Sequence, residues 1–355
     1  MLSFLTKKQI IAISIVIVSL FLFGVLVVTS NSLQKSLDDQ RAYERWSSGG
    51  DFAQISCFFI GDVTLDFNQI MTFRNQIDKS LREAAFTNTG TRRLYIDAYS
   101  SIGTITIRSD RSNLDTAAIG IGGDFFHFHP LKLVSGTYFS GSDLMKDSVI
   151  LDEEAAWQLF GSSNIAGMPV MIGGVPHYVK GVIAREQGRL WKAAGLDRGV
   201  AYVSAETLAE HGNTIGIQLY EVVMPNPVSG FAYRVALENF GYNEEKMRVI
   251  DNSTRYSLES LLKVIAETGT RSMQTYAIKY PYWENYARGF EDILALMLVF
   301  KFLLLLNAFL ISLITLILAY KRRTWTWKAV FIKVWLGLKF CFDFIHKKVK
   351  KKRIV

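Results

Sequence analysis

His127 and His129 stand two apart in the segment Phe126-His127-Phe128-His129-Pro130. On a strand, side chains at i and i+2 share a face, so the pair could offer two imidazoles to one metal ion. No third ligand follows at suitable spacing, and aromatic packing with a turn at the proline accounts for the segment more simply. His177 and His211 are isolated in the sequence. Asp152-Glu153-Glu154 could hold a cation, but the three acids open an apolar stretch that ends at Gly161. Acids in a first helical turn complement the helix dipole, and a glycine suits the C-cap. Cys57, inside the apolar run Ile55–Ile60, reads as a buried thiol. The glycines at 120, 122 and 123 lack the strand-then-helix setting of a dinucleotide loop. The chain has no Walker A loop, Gly-x-Ser-x-Gly elbow, His-Glu-x-x-His or Cys-x-x-Cys. The expectation is a protein that is not an enzyme, with no catalytic, cofactor-binding or metal-binding residues and no cofactor. Any ATP-driven role then needs a separate ATPase.

The elements that would position these residues are set by charge and hydropathy. The 355 residues carry a net charge of +8, which by itself would suit a nucleic-acid binder. The placement of the charge excludes that reading. Residues 321–355 hold 12 Lys/Arg against the single acid Asp343, and Lys7 and Lys8 sit at the other end. The stretch between carries a net charge of −5. Ile10–Val28 is a run of 19 residues without charge, about 28 Å as a helix, which matches a hydrocarbon core. Its length favours a retained anchor over a cleaved signal peptide. Ile293–Ala319 is a second run, interrupted only by Lys301, and its uncharged part Phe302–Ala319 can span alone. Lys7 and Lys8 before the first run, and Lys321, Arg322 and Arg323 after the second, predict that both ends are cytoplasmic. Lys301 is expected to snorkel at the outer interface. Asn307, within the second span, suits an interhelical hydrogen bond or a tolerated single amide. Cys57 and Cys341 would lie on opposite sides of the membrane. The tail at 324–345 predicts an interfacial amphipathic helix, followed by a polybasic end that meets membrane lipid or reinforces the topology.

The domain expected outside, about 30–290, carries a net charge near −4. Ile55–Ile60 predicts a strand, and Phe67–Phe86 a helix with Ile70, Phe73, Ile77, Leu81 and Ala84 on one face. Arg93–Tyr99 and Thr104–Arg108 predict two strands around a turn at Ser100–Gly103. A second unit begins near 147 with a strand, a helix to Phe160, and a hairpin across Gly173-Gly174. Strands are predicted at Val200–Val203, Gln218–Met224 and Met247–Ile250, with helices at Ala205–His211, Ser229–Phe240 and Ser257–Glu267. A helix from about Tyr282 continues into the second span. The fold class is α+β: a two-subdomain extracytoplasmic α/β domain between two transmembrane helices. Its parts are an N-terminal end with the first span (1–30), the outer domain (31–281, subdomains about 51–146 and 147–281), a stalk with the second span (282–320) and a basic tail (321–355).

Within the outer domain a specific order of residues occurs. Gly123-Asp124-Phe125-Phe126 leads to Leu131-Lys132-Leu133-Val134-Ser135-Gly136-Thr137-Tyr138-Phe139. Ser148-Val149-Ile150-Leu151 leads to Trp157-Gln158-Leu159-Phe160-Gly161. Gly167-Met168-Pro169-Val170-Met171-Ile172-Gly173-Gly174 leads to Tyr178-Val179-Lys180-Gly181-Val182. This order resembles the MacB-like periplasmic core domain of FtsX/MacB-type ABC transporter permeases. The resemblance implies structural roles for Gly136, Phe139, Leu159, Phe160, Gly161, Gly167, Gly173, Gly174 and Gly181. It makes the His127–His129 stretch a packing segment.

The resemblance also implies a permease-like subunit of an ABC transport or mechanotransmission system. A separate ABC-type ATPase would be its partner, together with another permease subunit or a second copy of the chain. The basic tail stands where such permeases carry two further spans and a coupling element. That difference keeps a second reading open, a membrane-anchored binding or scaffold protein without transport activity.

Overall fold

The computed structural model describes residues 7–47, 51–86, 93–141, 143–243, 245–269, 271 and 278–321. Arg322, Arg323, the tail at 324–355 and Cys341 lie outside them. The chain divides into a membrane-type unit, Met1–Val28 with Val299–Val355, and a folded unit, Thr29–Leu298.

In the first unit, helix α1 (Lys7–Lys35) and the end of the last helix, α10 (Tyr282–Lys321), are long and apolar enough to cross a membrane. Their apolar windows are only 6% buried, unlike the core helix of a soluble domain. Asn307 Nδ2 donates to Ser19 Oγ at 2.9 Å, so the amide in the second apolar run does bond across to the first helix.

In the folded unit, the chain leaving α1 makes a single 3-10 turn (Asp38–Gln40) and a short helix α2 (Ala42–Trp46). Ten strands then form one sheet: β1 (Phe52–Phe59), β2 (Ile96–Arg108), β3 (Asn113–Gly123), β4 (Leu133–Gly136), β5 (Ser148–Asp152), β6 (Pro169–Ile172), β7 (Val175–Ile183), β8 (Val200–Ser204), β9 (Asn213–Pro225) and β10 (Met247–Asp251). The order is β10-β1-β9-β2-β3-β8-β5-β7-β4, with β6 pairing β2 and β7. The boundary expected near residue 147 falls between β4 and β5, and strands from both sides of it share this sheet.

The remaining helices are α3 (Phe67–Glu83), α4 (Phe125–Phe128), α5 (Glu153–Phe160), α6 (Arg189–Ala194), α7 (Ala205–His211), α8 (Phe231–Phe240) and α9 (Leu258–Ala266). Most expected elements appear, but β1 begins three residues earlier than expected, α3 ends three earlier and β9 begins five earlier. Helix α3 buries Ile70, Phe73, Ile77 and Leu81, the apolar stripe of its 3.6-residue period, and a capping box at Asp66 and Gln69 starts it. With α8 it covers one face of the sheet, against Ile55, Cys57, Phe59, Tyr220 and Val222. The opposite face carries Phe58, Ile96, Ala98, Ile121 and Val223, packed with Phe125, Phe128 and Trp283.

One expectation is corrected, and the histidine segment takes the packing role expected of it. Arg93–Arg108 does not form two strands around a turn. Ile96–Arg108 is one strand, because β3 pairs with it in unbroken register from Ala98↔Gly123 to Arg108↔Asn113. The irregularity at Ser100–Gly103 is a set of bulges in the pairing with β9. The histidine segment is not a strand but the one-turn helix α4, stopped where Pro130 disfavours helix at the residue before it. The glycines at 120, 122 and 123 lie in β3.

The motif residues sit in the outer half of the sheet. Gly136 pairs with Gly181 across β4 and β7, Phe139 and Leu159 are buried in two different clusters, and Phe160 packs beside that of Leu159. Gly161 caps α5 in the left-handed region, Gly167 turns into β6, and Gly173 and Gly174 (φ 61° and 84°) close the β6–β7 hairpin. Gly136 has φ 76°, and a Cβ there would stand 2.1 Å from the Lys180 carbonyl oxygen. Gly161 has φ 70° with open space around it. Gly161→Ala therefore costs only the left-handed penalty, about 1–2 kcal/mol. Gly136→Ala adds a backbone collision that forces β4 off β7. Thermal melts of the purified full-length chain should show a small loss for Gly161→Ala and a clearly larger one for Gly136→Ala.

Candidate stalk-coupling site

Both faces of β1 are buried, yet Gln54 and Ser56 alternate with its apolar residues on the face away from α3. On the neighbouring strand β9, Glu221 stands directly opposite Ser56 in the ladder. A carboxylate in such a position is tolerated only when its oxygens are engaged. Ser56 Oγ donates to Glu221 Oε1 at 2.8 Å, and His129 Nε2 meets Glu221 Oε2 at 2.6 Å. His129 is delivered by α4, which places it at the helix C-terminus with its ring against Phe125 and Trp283. Its other nitrogen, Nδ1, lies 3.0 Å from Asp39 Oδ1 in the 3-10 turn after α1. Gln54 fixes the same turn. Its Nε2 donates to the Asp39 carbonyl at 2.7 Å, and its Oε1 accepts from Ala42 N–H at 2.8 Å. Arg45 then ties α2 to α4 by donating to the carbonyls of His127 and Phe128.

The chain of bonds continues the other way. Asn252, just past β10, donates to Ser56 Oγ at 2.8 Å and accepts from Arg255 Nη1 at 3.1 Å. The Arg255 guanidinium is buried and makes a two-pronged bond to Glu284, 2.7 Å at each oxygen, and a 2.5 Å bond to Glu291. Glu284 and Glu291 are seven residues apart on α10, hence on one face. Ala287, Phe290, Leu294 and Ala295 complete that buried stripe. Arg271 adds bonds to Glu291 and Asp292. Further pins hold the first turns of α10: Tyr282 Oη bonds Tyr202 Oη at 2.6 Å, Tyr286 stacks on Trp191, and Asn285 donates to the Ala194 carbonyl.

One buried polar path thus runs from Asp39, after α1, through His129, Glu221, Ser56, Asn252 and Arg255 to Glu284 and Glu291 at the start of α10. Burial alone would lower the His129 pKa, but the Glu221 and Asp39 carboxylates outweigh it and raise it to about 9. Burial works against the Arg255 charge too, and its two carboxylates more than restore it. Burial also pushes Glu284 above the usual carboxylate range, with Arg255 pulling it back.

The structure separates His127 from His129. His127 is half-buried, set edge-on against Trp46, and burial lowers its pKa. His129 alone enters the path. Asp152 caps α5 by accepting from Ala155 N–H at 2.8 Å. Lys7 and Lys8 open α1, Lys321 closes α10, and Lys301 lies within it. Sequence reasoning missed Ser56, Glu221, Asn252, Arg255, Glu284 and Glu291. The available signal was the polar residues at alternate positions of the otherwise apolar β1 and β9.

The raised His129 pKa fixes the sign of a pH effect. The stabilisation is complete below the unfolded value near 6.5 and is lost as pH rises through about 9. A shift of this size corresponds to about 3 kcal/mol. Thermal melts between pH 6 and 10 should show wild type losing stability across that window. His129→Gln should start lower and be flatter.

The MacB-like periplasmic core domain matches residues 9–230. The macrolide export ATP-binding/permease protein MacB of Chromobacterium violaceum is 35% identical over 85 residues, 23% of this chain and 13% of that protein. The corresponding MacB 1 of Aeromonas hydrophila subsp. hydrophila is 23% identical over 170 residues, 44% of this chain and 26% of that protein. These matches span about an eighth to a quarter of the relatives' own length. Among solved structures, the periplasmic region of MacB from Actinobacillus actinomycetemcomitans aligns over 60% of this chain and 92% of that one, with 18% identity and a TM-score of 0.39. The extracellular domain of the noncanonic ABC-type transporter YknZ from Gram-positive bacteria aligns over 56% and 99%, with 17% identity and a TM-score of 0.35. The matched stretch runs from α1 through β9, more than half of the chain, and on that basis the chain belongs to the MacB-like periplasmic core domain family.

Proposed function

We propose that this chain is a permease-like membrane subunit of an ABC transport or mechanotransmission system, coupling a separate ATPase to an extracytoplasmic domain. The observation that carries the reading is the buried path from Asp39 to Glu284 and Glu291. It hard-wires the segments next to both apolar helices to the adjacent strands β1 and β9, beside the β10 edge of the sheet. A displacement of either helix is then passed to the sheet rather than absorbed by a loop. The relatives' names include an ATP-binding part, and this sequence contains no Walker A loop. In this reading a separate ABC-type ATPase binds ATP, and a further permease subunit or a second copy of this chain stands beside it in the membrane. Lys7, Lys8, Lys321, Arg322 and Arg323 hold both ends in the cytoplasm by the positive-inside rule, Lys301 lies towards the outer interface, and the basic tail meets anionic lipid. The subdomains about 51–146 and 147–281 act as two halves of one lever, because they share a sheet.

Topology is tested with a cysteine at the exposed position 198. In the variant Arg198→Cys/Cys341→Ser, an impermeant thiol reagent should label intact cells, since Cys57 is buried. Absence of labelling until the cells are lysed would overturn the orientation. The coupling is tested by affinity purification of the full-length chain from its native membrane, where an ABC-type ATPase should co-elute. Recovery of the chain alone would leave a membrane-tethered binding module. Arg255→Gln leaves two buried carboxylates with a neutral partner, a change that costs about 3–5 kcal/mol in comparable buried pairs. It should lower the melting temperature and abolish any effect of the outer domain on the ATPase rate.

A further inference from the structure

A cavity of about 460 Å³ opens between the edge strand β10, α9 and the first turns of α8 and α10. Five cations line it, Arg248, Arg255, Lys263, Arg271 and Arg288, against the carboxylates Asp251, Glu267 and Glu291. Arg255 and Arg271 are already spent on Glu284, Glu291 and Asp292. Asp251 accepts from Ser253 N–H and O–H. Lys263 meets Glu259 across an exposed helical turn, with both side chains more than two-thirds in solvent, a pair that exchanges readily.

Arg248 and Arg288 differ from these. Neither is in an ion pair among the described residues, and both flank Tyr280, with the Arg288 guanidinium 4.4 Å from its ring centroid. Glu284, whose charge Arg288 also feels, is already two-pronged to Arg255. Two guanidinia therefore face one cavity with no carboxylate of their own. Planar guanidinium forks match the oxygens of a phosphate group. The cavity is larger than a bare phosphate needs. Beside it, α9 exposes Leu258 and Leu262, one turn apart and next to Lys263, an apolar pair with a cation as at a lipid interface.

We propose that this cavity binds a phosphate group, carried by an anionic lipid headgroup or by free phosphate, through Arg248 and Arg288. The test uses the full-length chain in neutral detergent, titrated separately with dihexanoyl-phosphatidylglycerol and with inorganic phosphate. Saturable binding is expected, and Arg248→Gln/Arg288→Gln should weaken it about tenfold or more. Lys79→Gln/Arg82→Gln, which removes equal charge from helix α3 at residues outside the cavity lining, should leave it unchanged. If melting shows that the first variant is unfolded, Arg248→Gln/Lys263→Gln replaces it, since both side chains are exposed. Binding of the lipid alone assigns the headgroup, and comparable binding of inorganic phosphate assigns the free anion. No saturable binding of either, or equal weakening by the α3 control, would overturn the proposal.

Discussion

The folded unit is organised around the buried cation Arg255. Arg255 has almost no contact with water and is held by Glu284 and Glu291, two carboxylates of one helix face. In such a site the desolvation of the ions roughly cancels their attraction, so the cluster adds little net stability. Its asymmetry matters more. With every member present the cluster is neutral in cost, and with one member gone a bare charge remains in the interior. That makes the cluster a selector of geometry. The start of α10 can rotate or slide against the sheet only by breaking it.

The second half of the path uses the same logic with a titratable group. His129 is sandwiched between carboxylates from β9 and from the turn after α1, with aromatic rings packed around it. A neutral imidazole would leave the buried Glu221 and the partly buried Asp39 facing one donor. The charged form satisfies both, and this is why its pKa rises although burial opposes it. The polar residues that complete the path, Ser56 on β1 and Asn252 just past the edge strand β10, connect the two ionic ends.

Away from this path the unit follows ordinary packing rules. Helices α3 and α8 cover one face with alternate residues of β1 and β9, and the outer strands β5 to β8 pack on α5 and α7 around small and branched residues. Arg74, Asp97 and Tyr220 form a separate polar cluster under α3, with Arg74 Nε 2.6 Å from Asp97 and Tyr220 Oη donating to the same carboxylate at 2.6 Å. It pins α3 to the sheet and takes no part in linking the helix exits.

The sequence alone determined what local physics governs. Two charge-free runs of membrane length, the 3.6-residue stripe of α3, the acids before α5 and the Gly173-Gly174 hairpin all act over a few residues, and each produced its element. The order of apolar residues and glycines in the outer half carried the family. Tertiary structure decided the rest. Ser100–Gly103 looked like a turn because its residues favour one, and became strand because β3 offered an unbroken ladder. Ser56 and Glu221 are separated by 165 residues, and Arg255 and Glu284 by 29, so nothing in their local context announces a bond. A buried charge is identified by what surrounds it, and only the assembled sheet brings those groups within reach of one another.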